Sequence, residues 1–437
     1  MVFFENFWWL LVMIGVMILI HELGHYWAAR FFDVKVDAFS FGFGPRLIGF
    51  RRGETDFRVS LVPFGGYVKM AGEHPGDDTA ENDPRGFQAK PRWQRLIVIF
   101  AGPAMNIVLA VALLTGLYMV SFPRLPNAEG PAIIAHVVPN SAAAKAGLRE
   151  GDKIVSIDNV ADPKWETVFL KEIASANRPL PVAVERNGER RLVTVTPTLD
   201  ERNGIGSAGW VGQAEIQIDK MVAGMDAERA GLKPGDLFIS VNGIPIHSVP
   251  KLHEVIRASA GKPVEILYSR NDQRNKVMVT PKYNKDEDRW MIGVQLGARV
   301  IYTKLGPVEA FGESVRQNVR SASLIYQLLQ GIVERRMSAK SLEGPIRIAQ
   351  ISGEAARQGA AEFLGLMAAV SLNLAIFNLL PIPILDGGQI LLLSVEMLMR
   401  RDLSLQVKET VFKLGFVFLM AVVAFVIYND ISKILPG

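Results

Sequence analysis

"ILIHELGHYWAAR", Ile18 to Arg30, decides how this chain is read. It closes an apolar run that starts at Phe7. Continued as a helix through Phe31, the run is long enough to cross a hydrocarbon core of about 30 Å at about 1.5 Å per residue. Yet His21, Glu22 and His25 stand inside it, and an ionisable side chain within a span costs roughly 2.5–3.5 kcal/mol unless compensated. His21-Glu22-Leu23-Gly24-His25 is H-E-x-x-H. On a helix the two imidazoles lie one turn apart on one face, and Glu22 lies about 100° round, where it can address a bound water. The spacing is that of half a zinc-peptidase site, and a shared metal supplies the compensation that three separate polar groups would lack.

Working outward, three more apolar segments follow. Leu96 to Phe122 has no charge, Phe363 to Met399 is charged only at Asp386 and Glu396, and Val411 to Tyr428 only at Lys413. The third is too long for one crossing and is broken by Pro381 and Pro383. With 49% hydrophobic and 21% charged residues, and a mean hydropathy of +0.20, the 437-residue chain reads as a membrane protein with a sizeable polar portion. The net charge of +4 is spread along the chain and gives no basis for a nucleic-acid partner. Cysteine is absent, which excludes disulfides and thiolate ligands and leaves His, Asp and Glu for any metal. The first segment has no basic run before it and no small-residue cleavage site after it, so it is expected to be retained.

Orientation is set by basic residues near span ends, which stay cytoplasmic. Ten Lys and Arg lie between Asp33 and Arg95, and Arg400, Arg401, Lys408 and Lys413 follow the third segment. Both chain ends and the long Pro123 to Glu362 segment are therefore expected outside. His21, about 21 Å along the helix from Phe7, falls past mid-membrane toward the cytoplasm.

A catalytic zinc needs a third protein ligand. Asp386 is the first candidate, because it sits beside a proline-broken helix in a stretch otherwise free of charge, where opened backbone is tolerated only against protein or in a watery cavity. Glu396 is the second, although the nearby Arg400 and Arg401 offer it an ordinary ion pair. His74, His136, His247 and His253 lie in polar segments and read as surface residues.

The outside segment repeats itself. "AGLREGDKIVSIDN" at Ala146 aligns with "AGLKPGDLFISVNG" at Ala230, and "VTVTP" at Val193 with "VMVTP" at Val277, both at the same 84-residue offset. Each copy reads as strand, Gly-Asp turn, strand, helix (Trp165 to Ala174; Val249 to Ser259), then two strands. This resembles a PDZ domain, whose groove takes an extended peptide or chain end as an added strand; a pair of structural spacers is the plainer reading. The copies are assigned to 128–200 and 211–299. Beyond them, within an amphipathic region at 306–360, Phe311, Val315, Val319, Leu324, Ile325 and Leu328 recur at helical spacing. That suits a helix lying on a membrane or packed on the second copy.

HELGH in a first span, "NLLPIPILDGG" (Asn378 to Gly388) in a later one, "FAGPAMN" (Phe100 to Asn106), "GFGP" (Gly42 to Pro45) and "PFGGYVKMAGE" (Pro63 to Glu73) together resemble the site-2 protease family of intramembrane metalloproteases, over essentially the whole chain. The resemblance implies a four-span α-helical membrane protein: 1–31, 96–122, 361–400 with the Leu-Asp-Gly motif, and 411–432. Membrane-associated β segments would occupy 32–95, and two tandem PDZ-like α+β domains would be inserted between spans 2 and 3. It implies zinc held by His21, His25 and Asp386, Glu22 as catalytic base, and Asn378 helping to hold substrate. The β segments around Gly42, Gly44, Gly65 and Gly66 would present an edge to unwound substrate, although such glycines also suit tight turns. The implied substrates are single-span membrane proteins, an anti-sigma factor after a first cut and remnant signal peptides, with the PDZ pair as a size filter. The implied location is a bacterial inner membrane, with the PDZ pair periplasmic. A transporter would repeat its spans, whereas here the repeat lies outside them. A passive scaffold leaves the intramembrane polar residues unexplained.

Overall fold

The computed structural model describes residues 2–73, 83–126, 130–200, 205–285, 287–334 and 344–434; His74 lies outside them. It forms two compact units, one of Met1–Ser121, Lys304–Tyr326 and Leu342–Gly437, the other of Phe122–Thr303 and Gln327–Ser341.

In the first unit, α1 (Val2–Phe31), β1 (Val36–Arg52), β2 (Thr55–Met70) and α2 (Arg92–Val120) come first. They are followed by α3 (Pro307–Val333, through Tyr326 in this unit), α4 (Pro345–Gln358), α5 (Ala360–Asn378), α6 (Asp386–Met399) and α7 (Leu405–Ile434). Among the described residues, four helical stretches are long and apolar enough to cross a membrane: Phe4–Phe31, Arg92–Val120, Ala360–Asn378 and Gln406–Ser432. The overlong third segment is resolved at its prolines, since α5 stops at Asn378 and α6 restarts at Asp386.

Leu10, Met13 and Met17 of α1 form a core cluster with Phe363 and Met367 of α5. The α1 and α2 backbones meet where Gly24 has no side chain, as a Cβ there would lie 2.3 Å from the Ala101 carbonyl oxygen. On α7, Phe416, Val417 and Phe418 are 53, 65 and 53% exposed, an apolar surface that a bilayer rather than water accommodates. The free N–H groups opening α4 are satisfied from α7, where buried Asp430 accepts from the backbones of Gly344 (2.9 Å), Ile346 (3.0 Å) and Arg347 (3.2 Å). In α3 the small and polar face is buried, with Ser314 Oγ 2.8 Å from Thr115 Oγ1 of α2. Its Phe311, Val315 and Val319 face outward.

The two long strands each bend. Phe39 pairs with both Val68 and Phe57, and Phe41 with both Gly66 and Val59, so the first half of β1 is flanked on both sides by β2. The bends fall where glycine permits a left-handed backbone, at Gly42 (φ 89°), Gly44 (φ 88°) and Gly65 (φ 123°). The second half of β2, from Gly66 to Met70, is left as a strand edge among the described residues.

The second unit contains the duplication. The first copy has a sheet of Val160–Ala161, Lys153–Ile157, Leu180–Arg186 and Glu189–Val195 with helix Trp165–Ile173. In the second, Gln273–Val279, Val264–Arg270 and Leu237–Val241 repeat this order beside helix Val249–Ala258. The Gly-Asp turn has the same purpose in both. Asp152, 1% exposed, takes Arg186 Nε at 2.6 Å and the Arg149 N–H at 2.8 Å. Asp236, also 1% exposed, takes Arg270 Nε at 2.7 Å and the Lys233 N–H at 2.8 Å.

The first copy runs beyond the expected residue 200. Trp210–Gly212 pairs with Ile134–Val137, and Ala208 and Trp210 lie in the first copy's core. Buried Glu172 fastens that return, accepting from the Ala208 N–H at 2.6 Å and Trp210 Nε1 at 2.8 Å. Burial pushes its carboxyl up, against the pull of those hydrogen bonds.

Candidate metal centre

The i, i+4 spacing places both imidazoles on one face of α1, with His21 Nε2 3.2 Å from His25 Nε2. Asp386 is the first residue of α6, and its Oδ2 lies 3.2 Å from His21 Nε2 and its Oδ1 3.7 Å from His25 Nε2. Two ligands on a tetrahedral zinc with bonds near 2.05 Å stand about 3.3 Å apart, so the three donors have the separations such an ion demands. Their side chains are only 10, 12 and 15% exposed. Asp386 Oδ2 is buried and takes no hydrogen bond among the described residues, a state that a cation relieves.

Asp386 reaches the histidines because the chain doubles back on itself. A Cβ at Gly387 would lie 2.3 Å from the backbone of Leu379 and Leu380, and one at Gly388 2.2 Å from the Ile382 carbonyl oxygen. The two glycines let the 379–385 loop fold against the start of α6. Room for an ion also depends on α2, since a Cβ at Gly102 would stand 2.3 Å from His25 Nε2 and 2.9 Å from His21 Cε1. His25 Nδ1–H donates to the Val98 carbonyl at 2.9 Å, which leaves Nε2 bare for a metal. Around His21 Nδ1 stands Asn106, 3.3 Å away.

Glu22 lies beside this triangle, next to β2. A Cβ at Gly66 would be 3.1 Å from Glu22 Cγ, and Glu22 accepts from the Val68 N–H, so this strand runs beside the glutamate. Gly42, Gly44 and Gly65 lie at the bends of the same sheet. Asn378 ends α5, across the 379–385 loop from Asp386. The alternative ligand Glu396 is occupied elsewhere: 1% exposed, it takes Lys408 Nζ at 2.7 Å and the Leu403 N–H at 3.0 Å.

His247 and His253 are exposed as expected, but His136 is buried. Its Nδ1 lies 2.8 Å from Glu150 Oε1 and 3.7 Å from Glu254 Oε2, a second trio of possible ligands. Sequence reading missed it because the partners come from both repeats. Lys251 Nζ stands 3.1 Å from Glu150 Oε2 and 3.1 Å from Glu254 Oε2, so the chain supplies that cluster's cation itself. Gly102 and Asn106 were legible only as parts of a motif; their helical spacing in α2 was the available signal.

With this geometry in hand, comparison with known proteins is specific. The sequence profile of peptidase family M50 matches residues 9–422. A protein of Xylella fastidiosa (strain 9a5c), named as a candidate zinc metalloprotease, is 32% identical over 98% of this chain and 99% of its own length. The regulator of sigma-E protease RseP of Salmonella typhimurium (strain 14028s / SGSC 2262) is 28% identical over 97% of this chain and 98% of its own. Among solved structures, the PDZ domain of an SdrC-like protein from Listeria monocytogenes is 20% identical, covering 20% of this chain and 90% of that one, with a TM-score of 0.18. The chain belongs to peptidase family M50, the site-2 proteases. It is a zinc metalloprotease of that type.

Proposed function

We propose that the protein is an intramembrane endopeptidase that cuts single-span membrane proteins, with zinc held by His21, His25 and Asp386. The observation that carries this reading is the triangle of donors 3.2–3.7 Å apart, joining two apolar helical segments. When bound, the ion acidifies a water and polarises the scissile carbonyl. Glu22 takes the proton of the attacking water and returns it to the leaving amine. A helical substrate hides its carbonyls in hydrogen bonds and has to unwind first. The β2 edge at Gly66–Met70, where Glu22 and Glu73 take the Val68 and Met70 N–H groups, offers the freed backbone a strand to pair with once those carboxylates yield. Asn378 and the glycine bends hold that extended segment in place.

The sigma-E regulators among the relatives support a pre-trimmed anti-sigma factor as substrate, and remnant signal peptides as a further class. The basic residues of the 33–95 loop support a cytoplasmic-facing site in a bacterial inner membrane, with the duplicated domains periplasmic. Those domains act as a filter that holds back untrimmed substrates. In detergent, Glu22→Gln is expected to keep zinc at wild-type stoichiometry and to lose cleavage of a membrane-spanning reporter; cleavage at the wild-type rate would sink the assignment of the base.

A further inference from the structure

The geometry points to Asn106 as a positioning residue that accepts the Nδ1–H of His21 and so sets which ring nitrogen faces the metal; this rests on the proposed metal site. Asn106 lies within the uncharged Leu96–Val120 stretch of α2 and is 0% exposed. Its backbone is tied to α5, with Ser371 Oγ donating to the Asn106 carbonyl at 2.9 Å.

The amide stands with Nδ2 3.3 Å from His21 Nδ1, and its Oδ1 is buried and takes no hydrogen bond among the described residues. A neutral imidazole carries one N–H. If Asn106 Nδ2 donates to Nδ1, the hydrogen of His21 must sit on Nε2. That is the atom 3.2 Å from both His25 Nε2 and Asp386 Oδ2, where a metal ligand has to be bare. Amide nitrogen and oxygen have nearly the same shape, and the surrounding network decides which one points where. Turning the amide over puts Oδ1 on Nδ1–H and frees Nε2 for the ion.

The inference extends to a whole face of α2. Val98, Gly102 and Asn106 are spaced four apart, matching the spacing of the two histidines on α1. The Val98 carbonyl orients His25, Gly102 leaves the space between, and Asn106 orients His21. One acceptor is backbone and cannot be mutated away; the other is a side chain and can.

Zinc affinity measured by chelator competition on the full-length protein in detergent tests this. Asn106→Leu preserves volume and removes both donor and acceptor. It is expected to weaken zinc binding roughly 10–100-fold, while the chelator-stripped protein melts as wild type does. Asn106→Asp restores an acceptor and is expected to recover most of the affinity lost in Asn106→Leu. Loading with cobalt(II) gives a readout independent of the Asp variant: its ligand-field bands should move in Asn106→Leu. Unchanged affinity and bands in Asn106→Leu, or a folded Asn106→Asp that binds no better than Asn106→Leu, would overturn the role. If His21→Ala binds zinc as wild type does, the metal reading itself falls and takes this proposal with it.

Discussion

At Gly102 a hydrogen in place of a side chain lets the two candidate ligand rings of α1 pack against α2. The ring contacts that a Cβ would make there, 2.3 and 2.9 Å, are closer than real Cβ atoms come. Gly102→Ala should therefore displace His25 and lower zinc stoichiometry, and metal analysis of the purified variant reads this directly. Asp386→Ala removes the proposed third ligand and should weaken zinc by more than the roughly 100-fold that loss of an outer partner can cost. Unchanged zinc in the folded variant would move the third-ligand role elsewhere. Glu396 would be a poor heir, because it is already bound by Lys408 and the Leu403 N–H. Residues of this kind divide by legibility. The His pair was readable because i, i+4 is a local relation. Asp386 was readable as a lone charge beside a proline break and as part of a motif, whereas Asn106 and Val98 as metal-site partners were not readable, since their contacts cross from α2 to α1.

Among elements, the helical spans were legible because each needs only its own run of apolar residues, whereas the behaviour of β1 and β2 was not. Alternation can place two strands, but it does not say that one strand will be flanked on both sides by the bent other. The polar end of α7 is another element-level surprise. Asp430 lies just past the apolar run that ends at Tyr428, and it accepts from three backbone groups near the start of α4. Asp430→Ala leaves those donors without their acceptor and should lower stability by about 1–2 kcal/mol, read as a fall in melting temperature. Asp430→Asn, which keeps one acceptor oxygen, should lose less.

For the whole molecule, all three candidate ligands fall in one compact unit. A ligand that binds only the folded state stabilises the part that binds it. A strong chelator should therefore abolish cleavage and lower the unfolding temperature of the helical unit while leaving hydrogen exchange in the duplicated β unit unchanged, and added zinc should reverse both effects. Removal of residues 128–299 tests the filter: the shortened protein is expected to cut full-length and trimmed substrates alike. Retained discrimination in the shortened protein would place the filter elsewhere.

By itself the sequence determined the features that rest on short-range periodicity and repetition. These include the apolar spans, the paired histidines with the glutamate about 100° round the helix, the break at Pro381 and Pro383, and the duplication at constant offset. Only the tertiary structure decided the features that depend on helices meeting. It brought Asp386 to the histidines through Gly387 and Gly388, tied Glu396 to Lys408, carried the first β domain through Gly212 and buried His136 among carboxylates of both repeats. The physical reason is range. Backbone geometry ties residues one turn apart to the same face in any helix, whereas a contact between distant segments exists only after packing has chosen which faces touch.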